Sequence, residues 1–296
     1  MDPRLIKGYV CGILSAVTYG TIPLFGKRLY QEGMSPSSVL FYRYLQAALL
    51  LLIYLGVTRK SLSVSREKLP ALGLAAILLF FSGLFWFMGF RVMHSGIGAT
   101  ILFVYPAIVA VIMFLFFGEK GSLRTILGCG VALAGVALLC LGGEGQVTVQ
   151  GVVLVLLSSL SYALYMVEVK VCRALQELDA GVITFYAMFL SVPLFFLAMI
   201  FSQEGIQGIP SASAWGNLMG LAILPSLLSY TLLAVSIQLV GATKTAILGA
   251  LEPLTAVILG ILVFHEPVTW QGVLGFLVVV AAMFCVIRQD YTGKSP

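Results

Sequence analysis

Charged residues are scarce in this sequence. Only 10% of its 296 residues are Asp, Glu, Lys or Arg, whereas 60% are hydrophobic, and the mean hydropathy is +1.06. Soluble domains carry about 25% charged residues, so a chain with so few cannot cover a surface that faces water. A membrane-spanning helix needs about 20 apolar residues, and this length holds about ten of them with short connections. The composition predicts an all-α integral membrane protein.

The residue types that perform most enzyme and metal chemistry are also few. The chain has two His and five Cys, and its three Asp residues lie outside the apolar blocks. The cysteines stand singly, without a C-x-x-C pair, which argues against a zinc site and a disulfide framework. No H-E-x-x-H, G-x-S-x-G or G-x-x-x-x-G-K-[ST] motif occurs. We therefore expect no metal and no cofactor, and no pumping driven by a nucleotide.

Ten apolar blocks follow one another, separated by short stretches rich in Gly, Pro and charge. They cover residues 5–26, 36–57, 70–90, 95–117, 122–141, 149–169, 181–201, 214–238, 243–264 and 269–288. Continuous apolar runs indicate helices, because the strands of a membrane barrel alternate apolar and polar residues. The sequence thus predicts ten transmembrane helices surrounded by the lipid bilayer.

The basic residues indicate how these helices cross the membrane. With the N-terminus in the cytoplasm, thirteen Lys and Arg fall on the inner side and three, Lys27, Arg28 and Arg91, on the outer side. Because cytoplasmic loops carry the excess of positive charge, both termini are predicted to be cytoplasmic, in the inner membrane. The net charge of +5 is dispersed along the chain, which argues against nucleic acid as a partner.

The two halves of the chain resemble each other. A shift of 147 residues aligns Pro106 with Pro253, and a shift of 143 aligns Tyr19 with Tyr162. Each half has five predicted spans, an odd number, so the second half enters the membrane from the opposite side. Such inverted repeats underlie alternating access to a site near the bilayer midplane. The two predicted repeat domains are residues 1–142 and 143–296.

Short motifs occur in both halves, and some of them stand at matching positions. They are Leu251-Glu252-Pro253-Leu254, Glu266 to Gly272, Gly275 and Gly241-Ala242-Thr243 in the second half, and Arg43, Tyr105-Pro106, Gly118-Glu119 and Gly128 in the first. Over its whole length the chain resembles the drug/metabolite transporter superfamily, specifically the EamA-type ten-helix branch. The resemblance implies a carrier, monomeric or weakly dimeric, that often exports amino acids or related metabolites. The first half departs from the pattern, since Tyr105 stands where the second half has Glu252.

Apart from the basic residues assigned above to the cytoplasmic side, three charged residues lie within or at the margin of the predicted spans. Glu252 is about 13 Å into its span, counted from Thr243, where a carboxylate is costly and normally faces a cavity or a partner. It is the candidate to bind a substrate ammonium, to carry a proton or to do both, and the alternative is that it caps backbone groups freed by Pro253. Arg43 is the candidate for a substrate carboxylate, and the alternatives are an ion pair, a backbone-carbonyl contact or snorkelling to the outer surface. Glu168 is a candidate for a cytoplasmic gate or for proton coupling.

Aromatic residues complete the predicted substrate site, and packing in the core or against lipid is the alternative for each. The substrate-binding candidates, beside Glu252 and Arg43, are Tyr19, Trp86, Tyr105, Tyr162, Tyr165 and Tyr230. Pro106 and Pro253 are predicted helix hinges, because interrupted helices accompany midplane sites. Kinks that serve only packing are the alternative for these two prolines.

Together these features predict a secondary active transporter that exports a small metabolite by alternating access, with protons as the candidate coupling ion. A membrane-embedded enzyme is an alternative of another class, but the motifs for its chemistry are lacking. A passive channel would need a continuous polar lining, which the sparse charges within the spans do not provide. The sequence does not identify the substrate.

Overall fold

The computed structural model of the chain describes residues 2–92, 98, 101–119, 123–140, 148–202, 205–264, 270–271, 273–275 and 277–281. These residues form helices, turns and short connections, and no strand occurs among them. The all-helical prediction is therefore confirmed for the described part of the chain.

Thirteen α-helices are described with both ends. They are α1 (Pro3–Tyr19), α2 (Ile22–Gln31), α3 (Pro36–Val57), α4 (Leu69–Val92), α5 (Tyr105–Phe117), α6 (Leu123–Cys140), α7 (Val149–Val171), α8 (Arg173–Gln176), α9 (Ala180–Ile200), α10 (Ala212–Leu221), α11 (Ser229–Val240), α12 (Ala242–Leu248) and α13 (Leu251–Phe264). A 3₁₀ turn, Arg66–Lys68, precedes α4, and a π-helical segment, Ala222–Leu228, joins α10 to α11.

Seven helical stretches of the described chain are long and apolar enough to cross a membrane, and an eighth apolar helix, α5, is shorter. The seven are Pro3–Gln31, Pro36–Val57, Arg66–Gly89, Val149–Val171, Ala180–Ile200, Ala212–Val240 and Ala242–Val263. The chain is thus a multi-pass membrane protein. Half of the predicted tenth block, and motif residues 266–269 and 272, lie outside the described residues, so the total of ten spans and the inverted arrangement of the halves stay predictions.

The first predicted block is not one continuous helix. Helix α1 ends at Tyr19 and α2 begins at Ile22, because Pro23 donates no amide hydrogen bond and its ring clashes with the carbonyl four residues earlier. Helix α2 then continues to Gln31. Lys27 and Arg28, which were predicted to lie in an outer loop, are therefore helical.

Two further interruptions lie at corresponding positions of the halves. Residues 103–104 form a turn before α5, and residues 249–250 form a turn between α12 and α13. A shift of 147 residues superposes these turns to within one residue. Pro106 and Pro253 lie in the first turns of α5 and α13, where a helix does not need the amide hydrogen that proline lacks.

Helix α1 packs closely along α11, as α4 does along α7 and α3 along α9. Two glycines four residues apart permit the first of these contacts. A Cβ atom on Gly8 would lie 2.6 Å from Val240 Cγ1, and one on Gly12 would lie 2.7 Å from Ser236 Oγ. Small residues at this spacing let helix backbones approach each other where lipid gives no hydrophobic drive for association.

Alanine at position 8 is expected to lower the midpoint of thermal unfolding in detergent, because its Cβ overlaps α11 and overpacking costs about 1–3 kcal/mol. The matched control is Gly73→Ala on α4, where an added Cβ meets nothing within 4 Å. The control should raise the midpoint, since Ala favours a helix over Gly by about 1 kcal/mol. Equal changes in the two variants would contradict close packing at Gly8.

Candidate functional site

Three helix ends meet in the interior of the molecule. Tyr19 is the last residue of α1, Tyr105 the first of α5 and Glu252 the second of α13. A Cβ on Gly20 would lie 2.5 Å from the carbonyl oxygen of Glu252, and the Tyr105 hydroxyl occupies the space that a Cβ on Gly249 would need. The interruptions of these helices therefore bring the three side chains to one place.

Five tyrosines surround this place and touch one another. The ring of Tyr105 meets Tyr162 edge-on, with centroids 4.9 Å apart, and Tyr162 stacks on Tyr19 at 6.3 Å and on Tyr165 at 6.5 Å. Tyr230 lies 5.7 Å from Tyr19 and 6.2 Å from Tyr165. These five residues, contributed by α1, α5, α7 and α11, are referred to below as the tyrosine cluster.

Glu252 and Arg43 both adjoin this cluster. The Tyr105 hydroxyl donates a hydrogen bond to the Glu252 carboxyl. The Arg43 guanidinium carbon lies 5.8 Å from the ring centre of Tyr19. Tyr19 is close enough to interact electrostatically with both charged residues, so its ring forms a wall shared by a carboxyl and a guanidinium.

Arg43 is almost completely buried, at 1% exposure. Its Nε donates to Ser226 Oγ at 2.6 Å and its Nη2 donates to the carbonyl of Pro225 at 3.2 Å. The backbone contact is one of the alternatives that the sequence left open for this arginine. Both partners belong to the π-helical segment, and both are neutral.

Neither Glu252 nor Arg43 forms an ion pair with any described residue. A buried charge is costly unless it is paired or well hydrogen-bonded. Two groups of opposite charge thus adjoin one aromatic wall without neutralising each other. This arrangement suits a ligand that carries one positive and one negative group.

The other predicted site residues lie nearby in the fold. Trp86 is buried on α4, the helix that packs along α7. Glu168 is buried on α7, one turn beyond Tyr165. Pro106 and Pro253 follow the interruptions before α5 and α13, as described above.

Three residues of this region were missed in the sequence. The ring of Tyr44 lies 5.8 Å from the Arg43 guanidinium, and Ser226 accepts its hydrogen bond. Gln46 is buried on α3, and neither of its side-chain amide atoms is hydrogen-bonded within the part of the chain that the structure describes. Its position one turn after an intramembrane arginine is a signal that sequence reasoning could have used.

Comparison with known proteins supports the resemblance. The sequence signature of the EamA-like transporter family matches residues 6–141 and again residues 149–288. The chain belongs to this family. As an EamA-family protein it is a membrane transporter, with a small-molecule substrate and the lipid bilayer as its partners.

Several relatives of this EamA-family protein are known as uncharacterized transporters. The one from Synechocystis sp., sll1319, is 31% identical over 206 residues, which cover 68% of this chain and 60% of that protein. YdfC of Bacillus subtilis is 25% identical over 91% of this chain and 88% of its own. A relative from Archaeoglobus fulgidus is 26% identical over 94% of this chain and 95% of its own. A crystal structure with 16% identity covers 98% of this chain and 99% of its own at a TM-score of 0.81, so the two share a fold.

Ion pairs join two connections at one end of this EamA-family protein, the end predicted to be cytoplasmic. Lys60 Nζ lies 2.6 Å from Asp179 Oδ2, and Lys68 Nζ lies 2.9 Å from Glu177 Oε2. Arg173 adds a contact to Glu177 at 3.4 Å. These five residues, which connect the first half of the chain to the second, are referred to below as the ionic latch.

The opposite end is joined mainly by amide and hydroxyl groups. The side-chain oxygen Oε1 of Gln207 accepts a hydrogen bond from the backbone amide of Ser35 at 2.7 Å. The backbone carbonyl of Gln207 accepts one from the Tyr42 hydroxyl, also at 2.7 Å. The Ser211 hydroxyl donates to the Glu32 carboxylate. These hydrogen bonds include at least one neutral partner each, so they should respond to salt less strongly than the ion pairs of the latch.

Glu177→Gln is expected to make the thermal stability less sensitive to both salt and acid. Lys68, which donates a hydrogen bond to Glu177, holds the pKa of that carboxyl below its usual value, and Arg173 adds to the effect. A lowered pKa in the folded state stabilises the protein at neutral pH, and this stabilisation is lost as the pH falls through the lowered pKa. The variant should therefore unfold at a slightly lower temperature than the wild type at neutral pH and low salt, and at the same temperature in acid or high salt.

The measurement is the unfolding midpoint in detergent at two pH values and two NaCl concentrations. Glu67→Gln is the matched control, because Glu67 is exposed on the neighbouring 3₁₀ turn and forms no ion pair in the described structure. A constant difference between Glu177→Gln and the wild type under all four conditions would contradict an electrostatic role of the latch.

Proposed function

We propose that this transporter is a secondary active carrier that binds a small zwitterionic metabolite, such as an amino acid, between Glu252 and Arg43. The observation that carries the proposal is that the buried Arg43 and the partly buried Glu252 both adjoin the ring of Tyr19 and form no ion pair with any described residue. A zwitterion supplies one counter-charge to each of the two residues. Because its own net charge is zero, the net charge of the site is the same before and after the substrate departs.

Each part of the site has a defined role in this proposal. The Glu252 carboxylate receives the substrate ammonium, and the Arg43 guanidinium receives the substrate carboxylate through charge-assisted hydrogen bonds. The tyrosine cluster packs against the remainder of the substrate, and its ring faces also attract the ammonium group. Because the cluster offers ring faces and hydroxyl groups together, it accommodates an amphipathic side chain.

Alternating access is proposed from the interruptions of the helices. The turns at residues 103–104 and 249–250 occupy equivalent positions in the two halves, and discontinuous helices at corresponding positions of inverted repeats are typical of carriers. We propose that the halves, residues 1–142 and 143–296, exchange conformations about this place. The distribution of Lys and Arg supports cytoplasmic termini in an inner membrane, and the family resemblance favours export, with protons as the coupling ion.

The first test is a thermal-shift screen of the purified protein with amino acids, nucleosides, sugars and quaternary amines. A ligand that binds only the folded state at 100 times its Kd stabilises it by about 2.7 kcal/mol. We expect amino acids to raise the unfolding midpoint and sugars to leave it unchanged. Stabilisation by sugars or nucleosides alone would overturn the zwitterion proposal.

The second test distinguishes a carrier from a channel or an enzyme. Proteoliposomes are loaded with unlabelled amino acids, and uptake of a ¹⁴C-labelled amino-acid mixture is followed. A carrier exchanges internal for external substrate, so the loaded vesicles should take up label faster than empty ones. Equal uptake by loaded and empty vesicles would indicate a passive pore, and chemical conversion of the label would indicate an enzyme.

A further inference from the structure

Two buried polar atoms on α7 have no hydrogen-bond partner among the described residues. They are the hydroxyl oxygen of Tyr165 and the Oε2 atom of Glu168. Tyr165 is 0% exposed and Glu168 is 8% exposed. A buried polar group without a partner costs about 1–3 kcal/mol, so these atoms are expected to gain a partner in another state of the transport cycle.

The two residues extend the tyrosine cluster toward the ionic latch. Tyr162, Tyr165 and Glu168 follow one another at intervals of three along α7, which places neighbouring members on the same side of the helix. Tyr162 contacts Tyr105, and Tyr105 is bonded to Glu252. Hydroxyl groups thus lie between two carboxyl groups, one at the centre of the molecule and one three residues before the end of α7.

Glu168 is placed where it can meet water. The residue keeps 8% of its surface exposed, although its Oε2 is enclosed without a hydrogen-bond partner in the described structure. No ion pair of the described chain includes Glu168. The carboxyl therefore has one enclosed oxygen without a partner and no counter-charge among the described residues.

The helices that pack against α7 supply few titratable groups. They are Tyr105 on α5, Tyr230 on α11, Lys244 on α12, Arg173 on α8 and, on α4, Arg91, whose side chain lies outside the described structure. Arg173 is 94% exposed and contacts Glu177.

We propose that Glu168 is a second proton-binding carboxyl, which exchanges protons between the water at the latch end and Glu252 through the tyrosine cluster. This proposal rests on the proposed carrier function. The carboxylate of Glu168 takes a proton from water, and it passes this proton to the Tyr165 hydroxyl as that hydroxyl releases its own proton to the next acceptor. The transfer repeats through Tyr162 and Tyr105, with water bridging where hydroxyls are not in contact. Each hydroxyl gains one proton and loses one, so one proton leaves Glu168 and one arrives at Glu252.

The first experiment needs no substrate. Protein in lipid vesicles is treated at a series of pH values with dicyclohexylcarbodiimide, a reagent that modifies protonated carboxyl groups in apolar surroundings, and the adducts are located by mass spectrometry. We expect modification of Glu168 with a defined pH dependence, a shift of that dependence in Tyr165→Phe, and no modification of the exposed Glu67. The proposal would be overturned if Glu168 formed no adduct at any pH, or if its modification depended on pH in the same way as that of Glu67.

The second experiment measures transport of the ¹⁴C-labelled amino-acid mixture by Glu168→Gln, with Glu67→Gln as the matched control. Exchange of labelled for unlabelled substrate requires no net proton movement, so Glu168→Gln should retain it, whereas accumulation driven by a pH gradient should be lost. The control should keep both. Accumulation by Glu168→Gln at the wild-type level would overturn the proposal, as would an unchanged response of Tyr165→Phe to the gradient. A wild type that shows no exchange refutes the carrier function instead, and the adducts on Glu168 still decide the proton site.

Discussion

Replacement of Glu252 with Gln is expected to abolish accumulation of substrate driven by a pH gradient and to weaken substrate binding by about tenfold or more. An amide neither carries a negative charge nor takes up a proton at neutral pH. A hydrogen bond to a charged group contributes about 1.5–3 kcal/mol, and each 1.4 kcal/mol corresponds to about tenfold in affinity. The measurement is accumulation of the ¹⁴C-labelled amino-acid mixture in proteoliposomes with and without the gradient, together with the thermal shift that the amino acids produce.

The alternative role of Glu252 is to cap its own helix. The residue lies in the first turn of α13, where a carboxylate stabilises the positive end of a helix. If capping were its whole role, Glu252→Gln would lower the unfolding midpoint but leave the response to the pH gradient unchanged. Glu67→Gln controls for the loss of a carboxylate in general, since Glu67 is exposed and distant in sequence from every residue of the proposed site.

Two signals in the sequence, the internal repeat and the aligned prolines, led to the prediction that Tyr105 and Glu252 belong to one site. Tyr105 and Glu252 were paired because a shift of 147 residues aligned the prolines that follow them, and a proline disturbs the hydrogen bonding of a helix that continues through it. The structure places helix ends at both positions and a hydrogen bond between the two side chains. Pro23 is an equally clear signal for the interruption between α1 and α2, but the uniform hydropathy of that block concealed it.

Other features depend on contacts that no local pattern contains. The bond from Arg43 to Ser226 forms because α10 and α11 are joined by a π-helical segment, which presents Ser226 and the Pro225 carbonyl to α3. The ionic latch likewise joins Lys60 to Asp179 across 119 positions of sequence. Long-range partners of this kind are set by how the helices pack, and a single sequence does not specify them.

Replacement of Arg43 with Gln is expected to weaken recognition of the substrate carboxylate while recognition of the substrate ammonium is retained. Because the proposed partner of Arg43 is the substrate carboxylate, the variant should lose the thermal shift produced by amino acids but retain the smaller shift produced by their methyl esters, which keep the ammonium. In the wild type, esterification should cost about tenfold or more in affinity, as expected for one charge-assisted hydrogen bond. In Arg43→Gln the acid and the ester should bind almost equally.

A purely structural role of Arg43 makes a different prediction. Arg43 also holds the π-helical segment through Ser226 and the Pro225 carbonyl, so its loss lowers stability whatever its role in binding. Ser226→Ala removes the hydrogen bond to Nε and keeps the guanidinium, so it should lower the unfolding midpoint and still distinguish acid from ester. If Ser226→Ala lost that distinction as fully as Arg43→Gln, the arginine would act by shaping the segment and not by binding the carboxylate. The comparison of acid and ester in these two variants therefore measures the charge of Arg43 apart from its packing.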